Sequence, residues 1–252
     1  MEKMLNEGRD FIKSNRFEML AENVQSDQEK GVEQPPLEKP LTGNEILIDL
    51  PDPKTATLKS NDFFSIINNR ESRRLFANDP ISLEQLSYLL WATQGVKNIF
   101  GKNYATKRTV PSAGARHPFE TYLWVKRVEG LKRGIYRYTA LHHKLMLIKE
   151  GDFTDEMTAA AMGQKMAGDC ACTFVWALIP YRGEWRYHVG SHKTVLLDAG
   201  HICQNLYLAC EAEGLGTCAI AAYFQKQLDS ILGLAGEDEF AVYLSPVGIP
   251  KR

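Results

Sequence analysis

The most regular hydrophobic pattern in the chain lies between Val195 and Glu213. Ala199, Ile202, Cys203, Leu206, Ala209 and Cys210 recur at three- and four-residue spacing, and Leu196, Leu197, Tyr207 and Leu208 make the opposite side apolar too. This predicts a long helix covered on both sides, in the middle of a domain or at a subunit interface, and ended by Gly214-Leu215-Gly216. Two shorter helices precede it. Ser60-Asn61-Asp62 is an N-cap cluster ahead of Phe63, Phe64, Ile66 and Ile67, in a helix that stops at Asn68-Asn69. Ser82-Leu83-Glu84-Gln85 reads as a capping box for a helix that buries Leu83, Leu86, Leu89 and Leu90 until Gly95. A polar loop through Lys107 is expected next.

From Phe119 the period changes. Thr121 to Val125, Ile135 to Tyr138 and Leu145 to Ile148 are rich in aromatic and β-branched residues and predict an antiparallel meander. Thr173 to Ile179 is an unbroken apolar run, as expected of a central strand buried on both faces. Short helices are predicted for Phe153 to Met162 and Gln225 to Leu232, and a last strand for Phe240 to Leu244. The class is α+β, with a mixed or antiparallel central sheet covered by helices. Residues 1–55 differ in character: a polar, charged opening leads to Gln34-Pro35-Pro36 and Pro51-Asp52-Pro53. They read as an N-terminal, proline-rich extension or arm in which Asn44 to Leu50 docks as a short strand, ahead of a main domain over residues 56–252.

Composition narrows the function. With 252 residues, 44% of them hydrophobic, the chain needs neither metal nor disulfide to fold. Thirty basic and thirty-one acidic residues give a net charge of −1, which favours neither nucleic acid nor an anionic membrane as partner. The charged N-terminus lacks a signal-peptide run and no stretch has the apolar length of a membrane span, so a cytoplasmic location is expected. Five cysteines without zinc spacing read as core packing. His188 and His192 are separated by Gly190, which argues against helical metal ligation, and no metal is expected. A P-loop, a G-x-G-x-x-G turn after a strand and a G-x-S-x-G elbow are all missing.

Two stretches remain as candidates for chemistry. The run from Arg108 to Glu120 has two prolines, one glycine and small residues between them, describing a tight loop whose backbone can lie against a flat ligand. Arg70-Glu71-Ser72-Arg73-Arg74 offers three guanidiniums and a hydroxyl from one turn, a set that suits a phosphate, and Lys251-Arg252 is a second basic pair. A solvated charge run is the alternative for each.

Arg70-x-Ser72-x-Arg74-x-Phe76, Pro111-Ser112-Ala113-Gly114-x-x-His117-Pro118, Gly214-Leu215-Gly216 and Pro246-Val247-Gly248 resemble, in order, the flavin-binding landmarks of the nitroreductase family. Leu89-Leu90-Trp91-Ala92-x-Gln94-Gly95 and the stretch from Leu197 to Leu208 resemble its SagB/ThcOx-type dehydrogenase branch, which includes azoline oxidases of ribosomal peptides. The resemblance implies a nitroreductase-like fold and an FMN enzyme working as an intertwined homodimer with flavin at the interface. NADH or NADPH is the implied donor. It gives Arg70, Ser72 and Arg74 the phosphate and ribityl side, with Lys251 and Arg252 completing the clamp. Pro111, Ser112, Ala113 and Gly114 would line the ring from the other subunit, and Ala219, Ile220, Ala221, Ala222 and Tyr223 would lie beside its N5 edge by backbone contacts. Azoline oxidases of this type use a lysine–tyrosine pair; the nearest feature here is Trp185-Arg186-Tyr187, with Tyr187 and Lys193, or His188, as proton acceptors. An aromatic strand edge is the alternative for residues 185–187. The implied activities are FMN-dependent oxidoreduction or, more narrowly, dehydrogenation of an azoline in a modified peptide; a flavin-binding module without turnover is the reading from another class.

Overall fold

A computed structural model describes residues 1–21 and 24–251. A seven-stranded antiparallel sheet forms its centre, in the order β1-β6-β5-β4-β7-β9-β8. Its strands are β1 (Leu47–Asp49), β4 (Phe119–Val125), β5 (Gly134–Thr139), β6 (Lys144–Glu150), β7 (Cys172–Leu178), β8 (Gly216–Thr217) and β9 (Phe240–Gly248). The meander β4-β5-β6 and the buried central strand β7 are as the sequence predicts. Strand β9 runs four residues beyond the predicted Leu244, because Thr217 pairs with Val247 and Gly216 with Gly248.

Alternation along β7 divides the core. Phe174, Trp176 and Leu178 face α4 (Leu83–Gln94) and α8 (Ser191–Glu213), meeting Leu86, Leu89, Leu90, Ile202 and Leu206. Val175 and Ala177 face the other way, against Met157 and Ala160 of α5 (Thr154–Ala160), Ala167 of α6 (Lys165–Gly168), and Leu228 and Leu232 of α9 (Gln225–Leu232). The result is three layers, with helices on both faces of the sheet. Both predicted caps form. Asp62 accepts from the Ser65 amide at the start of α3 (Phe63–Asn69), and Ser82 and Gln85 exchange both bonds of a capping box.

Three expectations change. The stretch before Lys107 is a hairpin, β2 (Val96–Phe100) with β3 (Ala105–Arg108), because Gly101, Lys102 and Asn103 all take positive φ and turn the chain back on itself. Residues 185–187 belong to α7 (Pro180–Tyr187), where Pro180 supplies the preset φ of a first helical position, so the strand-edge reading fails. Of the two settings predicted for α8, the middle of a domain does not hold at its start, since Leu196 and Leu197 are 47% and 55% exposed.

The opening of the chain is helical: α1 (Glu2–Ile12) and α2 (Asn15–Ala21). From Val24 the extension runs over the surface and is fastened at several points. Gln28 donates its amide to the Trp185 carbonyl at 2.9 Å, and Trp185 Nε1 donates to the Val32 carbonyl at 2.9 Å. Arg108 donates to the Leu37 carbonyl at 3.2 Å, and Lys39 donates its amide to Glu120 at 2.8 Å. Strand β1 then joins the edge strand β6, with Ile48 opposite Leu145. Beneath this run Glu120 and Arg182 form an ion pair at 2.6 Å, both nearly inaccessible.

Candidate functional site

Two groups of predicted site residues lie at different points along α8. The first forms where the turn after α3 meets the end of the chain. Ser72 forms a parallel bridge with Thr217, and the Arg73 amide donates to the Thr217 carbonyl at 3.0 Å. Phe76 bridges Pro250, and the Lys251 amide donates to the Leu75 carbonyl at 3.0 Å. The cationic stretches at the two ends of the main domain are thus laid side by side. Arg252 lies outside the described residues.

Tyr207, on α8, joins these pieces. Its hydroxyl is 3.0 Å from Ser72 Oγ and accepts from the Ala219 amide at 2.8 Å, while the Arg70 guanidinium sits 5.4 Å from its ring centroid. Arg73 is committed to the fold: it pairs with Glu71 at 2.8 Å and lies 3.8 Å from Glu211. Gly216 makes room for it, since a Cβ there would lie 2.8 Å from Arg73 Cδ. Arg74 is exposed, reaching the Ser72 carbonyl at 3.3 Å. Arg70 and Arg74 beside the Ser72 and Tyr207 hydroxyls form a rim whose donor set suits a phosphate.

The stretch from Ala219 to Tyr223 begins at this rim, where the Ala219 amide meets Tyr207. Ile220 is buried and exchanges both backbone bonds with Leu244, so its backbone is committed to the sheet. Tyr223 donates its hydroxyl to the Ala241 carbonyl at 2.9 Å. Ala221 and Ala222 are exposed.

The second group is the loop at Pro111 to Pro118. Ser112 Oγ donates to Asp198 of α8 at 2.5 Å, the Ala113 amide donates to the same carboxylate at 3.2 Å, and the His117 amide donates to Ser112 Oγ at 2.9 Å. Burial raises the Asp198 carboxyl above its ordinary range, and the bonds from Ser112 and Ala113 partly offset this. Gly114, Ala115 and His117 all take positive φ. Gly114 is required twice over, because a Cβ there would also lie 2.7 Å from Tyr187 Oη and 2.8 Å from Arg186 Cδ. His117 is buried, and burial with the nearby Arg108 charge pushes its imidazole down to about 3.

The predicted proton acceptors lie on this second side. Tyr187 ends α7 against Gly114, and Lys193, in the first turn of α8, donates to Ser14 Oγ at 3.1 Å. Arg186 donates to Tyr104 Oη at 2.7 Å, and Arg116 packs its guanidinium over Tyr104 and Trp185 at 4.6 and 5.2 Å from their centroids. Sequence reasoning missed Tyr104, Arg116, Asp198 and Tyr207 as site-building residues. A lone acid within an apolar helical stretch was the available signal for Asp198. All five cysteines are free and buried, and among the described residues no group of three or more His, Cys, Asp or Glu side chains is placed to hold a metal. No helix among them is long and apolar enough to cross a membrane.

The chain is 30% identical over 206 residues to the nitroreductase-family protein MJ1384 of Methanocaldococcus jannaschii, covering 82% of this chain and 98% of that one. It is 27% identical over 202 residues to the trifolitoxin operon protein TfxC of Rhizobium leguminosarum bv. trifolii, covering 71% of this chain and 53% of TfxC. The crystal structure of a nitroreductase-family protein from Ralstonia eutropha superposes with a TM-score of 0.68 at 25% identity, covering 91% of this chain and 96% of that one. Residues 67–249 match the model of the nitroreductase family, and the chain belongs to that family.

Proposed function

We propose that this protein is an FMN-dependent oxidoreductase that moves two electrons between NADH, NADPH or an organic substrate and an acceptor. The observation that supports the reading is the meeting of Arg70, Ser72, Arg74 and Tyr207, with the backbone of Lys251 fastened to Leu75 alongside. Its donor chemistry fits a phosphate and a polyol, and Arg252 follows directly in sequence. When bound, the flavin ring supplies the two-electron chemistry; the protein binds, orients and tunes it. Arg74 would contribute a positive charge toward the N1–C2=O edge of a bound flavin, which would favour acceptance of electrons. Ala221 and Ala222 are exposed, with the Ala222 carbonyl accepting from Gln164, and they are the residues that would lie beside the N5 edge.

The loop at Pro111 to Gly114 serves the ring held by a second copy. Asp198, which holds the loop, and Tyr207, which holds the rim, are nine positions apart on α8. That is about two and a half helical turns and 13 Å, which sets them on opposite sides of the helix. Two copies meeting along α8 bring one chain's loop to the other's rim. The exposed side chains of Phe63, Phe64, Ile67, Leu196 and Leu197 supply the apolar surface for that meeting. Tyr187 and Lys193 are the groups placed to hold or accept a proton on the loop side.

The test is flavin retention. Arg70→Ala removes a charge-assisted partner of the phosphate, and the FMN dissociation constant is expected to rise about ten- to a hundredfold. Unchanged affinity rejects the phosphate role. A narrower reading, azoline dehydrogenation, draws on the resemblance to TfxC. It is checked by a mass loss of two hydrogens from a thiazoline peptide.

A further inference from the structure

We infer that helices α1 and α2 form an arm that walls the acceptor pocket beside Tyr187 and restricts it to small, single-ring substrates. The inference rests on the proposed oxidoreductase function and specifies its substrate class. The arm touches both candidate proton acceptors. The Phe17 ring meets Tyr187 edge-on, with centroids 6.5 Å apart and planes at 67°, and Ser14 Oγ accepts from Lys193 at 3.1 Å. Arg16 adds a bond to His192 Nδ1 at 3.2 Å.

The seat of the arm is built into the fold at Gly190. A Cβ at that position would lie 2.9 Å from Phe17 and 3.1 Å from Leu20, so the absence of a side chain lets the arm close against the turn between α7 and α8. Conformation does not demand glycine there, because φ −65° and ψ −25° are ordinary right-handed helical values. The glycine serves close approach. Between Leu20 and Val24 on the arm side and Arg186 and Tyr187 on the other is a cavity of about 300 Å³, the lower end of the range for small-molecule sites. Leu20 and Val24 give it one apolar side, and Ser26, Gln28, Glu29, Arg186 and Tyr187 make the remainder polar. That volume suits one ring, and a substrate carried on a peptide reaches Tyr187 only if the arm lifts.

Two substitutions in the full-length, FMN-loaded protein test this. Phe17→Ala removes the covering ring. Gly190→Ala keeps every arm residue and displaces the arm by contact alone. Turnover of p-benzoquinone is compared with that of anthraquinone-2-sulfonate, and nitration of Tyr187 by tetranitromethane is followed by peptide mass spectrometry. The kcat/KM ratio of the three-ring over the one-ring acceptor is expected to rise about tenfold in both variants, the low end of what relief of one steric contact gives. Tyr187 nitration is expected to rise in parallel. An unchanged ratio overturns the inference even if nitration rises, because the arm then covers without selecting. If the wild-type protein turns over no acceptor, the oxidoreductase reading fails. The substrate restriction falls with it, whereas turnover with an unchanged ratio overturns the restriction alone.

Discussion

Asp198→Ala is expected to loosen the loop at Pro111 to Pro118 by an amount that follows from its bonds. The carboxylate accepts from Ser112 Oγ at 2.5 Å and from the Ala113 amide at 3.2 Å, and Ser112 Oγ in turn accepts from the His117 amide. Hydrogen bonds to a charged acceptor contribute about 1.5–3 kcal/mol each, but the two share one acceptor and do not add fully. Removing the carboxylate also relieves the burial that raises its pKa. The net loss is therefore about 2–3 kcal/mol. In a chain of this size that lowers Tm by roughly 4–12 °C, which differential scanning calorimetry resolves. Asp198→Asn keeps an acceptor oxygen and should lose about half as much. A double-mutant cycle with Ser112→Ala isolates the pair, with an expected coupling of about 1–2 kcal/mol. A Tm for Asp198→Ala within about 1 °C of wild type, or zero coupling, refutes the clamp.

Three further outcomes follow from two buried groups and one bridging hydroxyl. His117 is held neutral in the fold, with its pKa lowered from 6.5 to about 3, whereas the unfolded chain takes up a proton as pH falls below 6.5. Stability is then lost on acidification, by about 2 kcal/mol between pH 6.5 and 5, and His117→Asn should flatten that slope in urea titrations. Burial opposes ionisation of Glu120, but Arg182 and Arg137 outweigh it and hold the carboxyl below its usual value. Arg182→Met leaves that charge buried without its partner at 2.6 Å and should cost about 3–5 kcal/mol; adding Glu120→Gln should recover part of the loss. Tyr207→Phe removes the hydroxyl between Ser72 and the Ala219 amide, and a loss of about 1–2 kcal/mol in urea unfolding is expected.

Local signals in the sequence carried the parts of the fold that depend on neighbours in the chain. The capping box at Ser82 and Gln85, the apolar period of α8 and the unbroken run of β7 are local and legible. The hairpin at Gly101 to Asn103 was missed because three successive left-handed residues are a backbone property that Lys102 does not announce. Helix α1 was missed because charged residues outnumber the apolar ones, although Met4, Leu5, Phe11 and Ile12 keep a helical spacing. In the site, Arg70, Ser72 and the loop at Pro111 were recognised as motifs. What joins them was not, because Tyr207 reaches Ser72 across 135 positions and Asp198 reaches Ser112 across 86. Contacts at such separations are set by the packing of α8 on the sheet, which no local pattern encodes. The arm on Tyr187 likewise becomes visible only once Phe17 and Gly190 are seen in contact.

The most direct test is an anaerobic titration of the FMN-loaded protein with NADH and, separately, NADPH, followed at the visible flavin absorption band. The proposed function predicts that at least one nicotinamide bleaches the band at one equivalent per flavin and that a quinone acceptor restores it. Failure to take up FMN, or a bound flavin that neither nicotinamide bleaches, contradicts it.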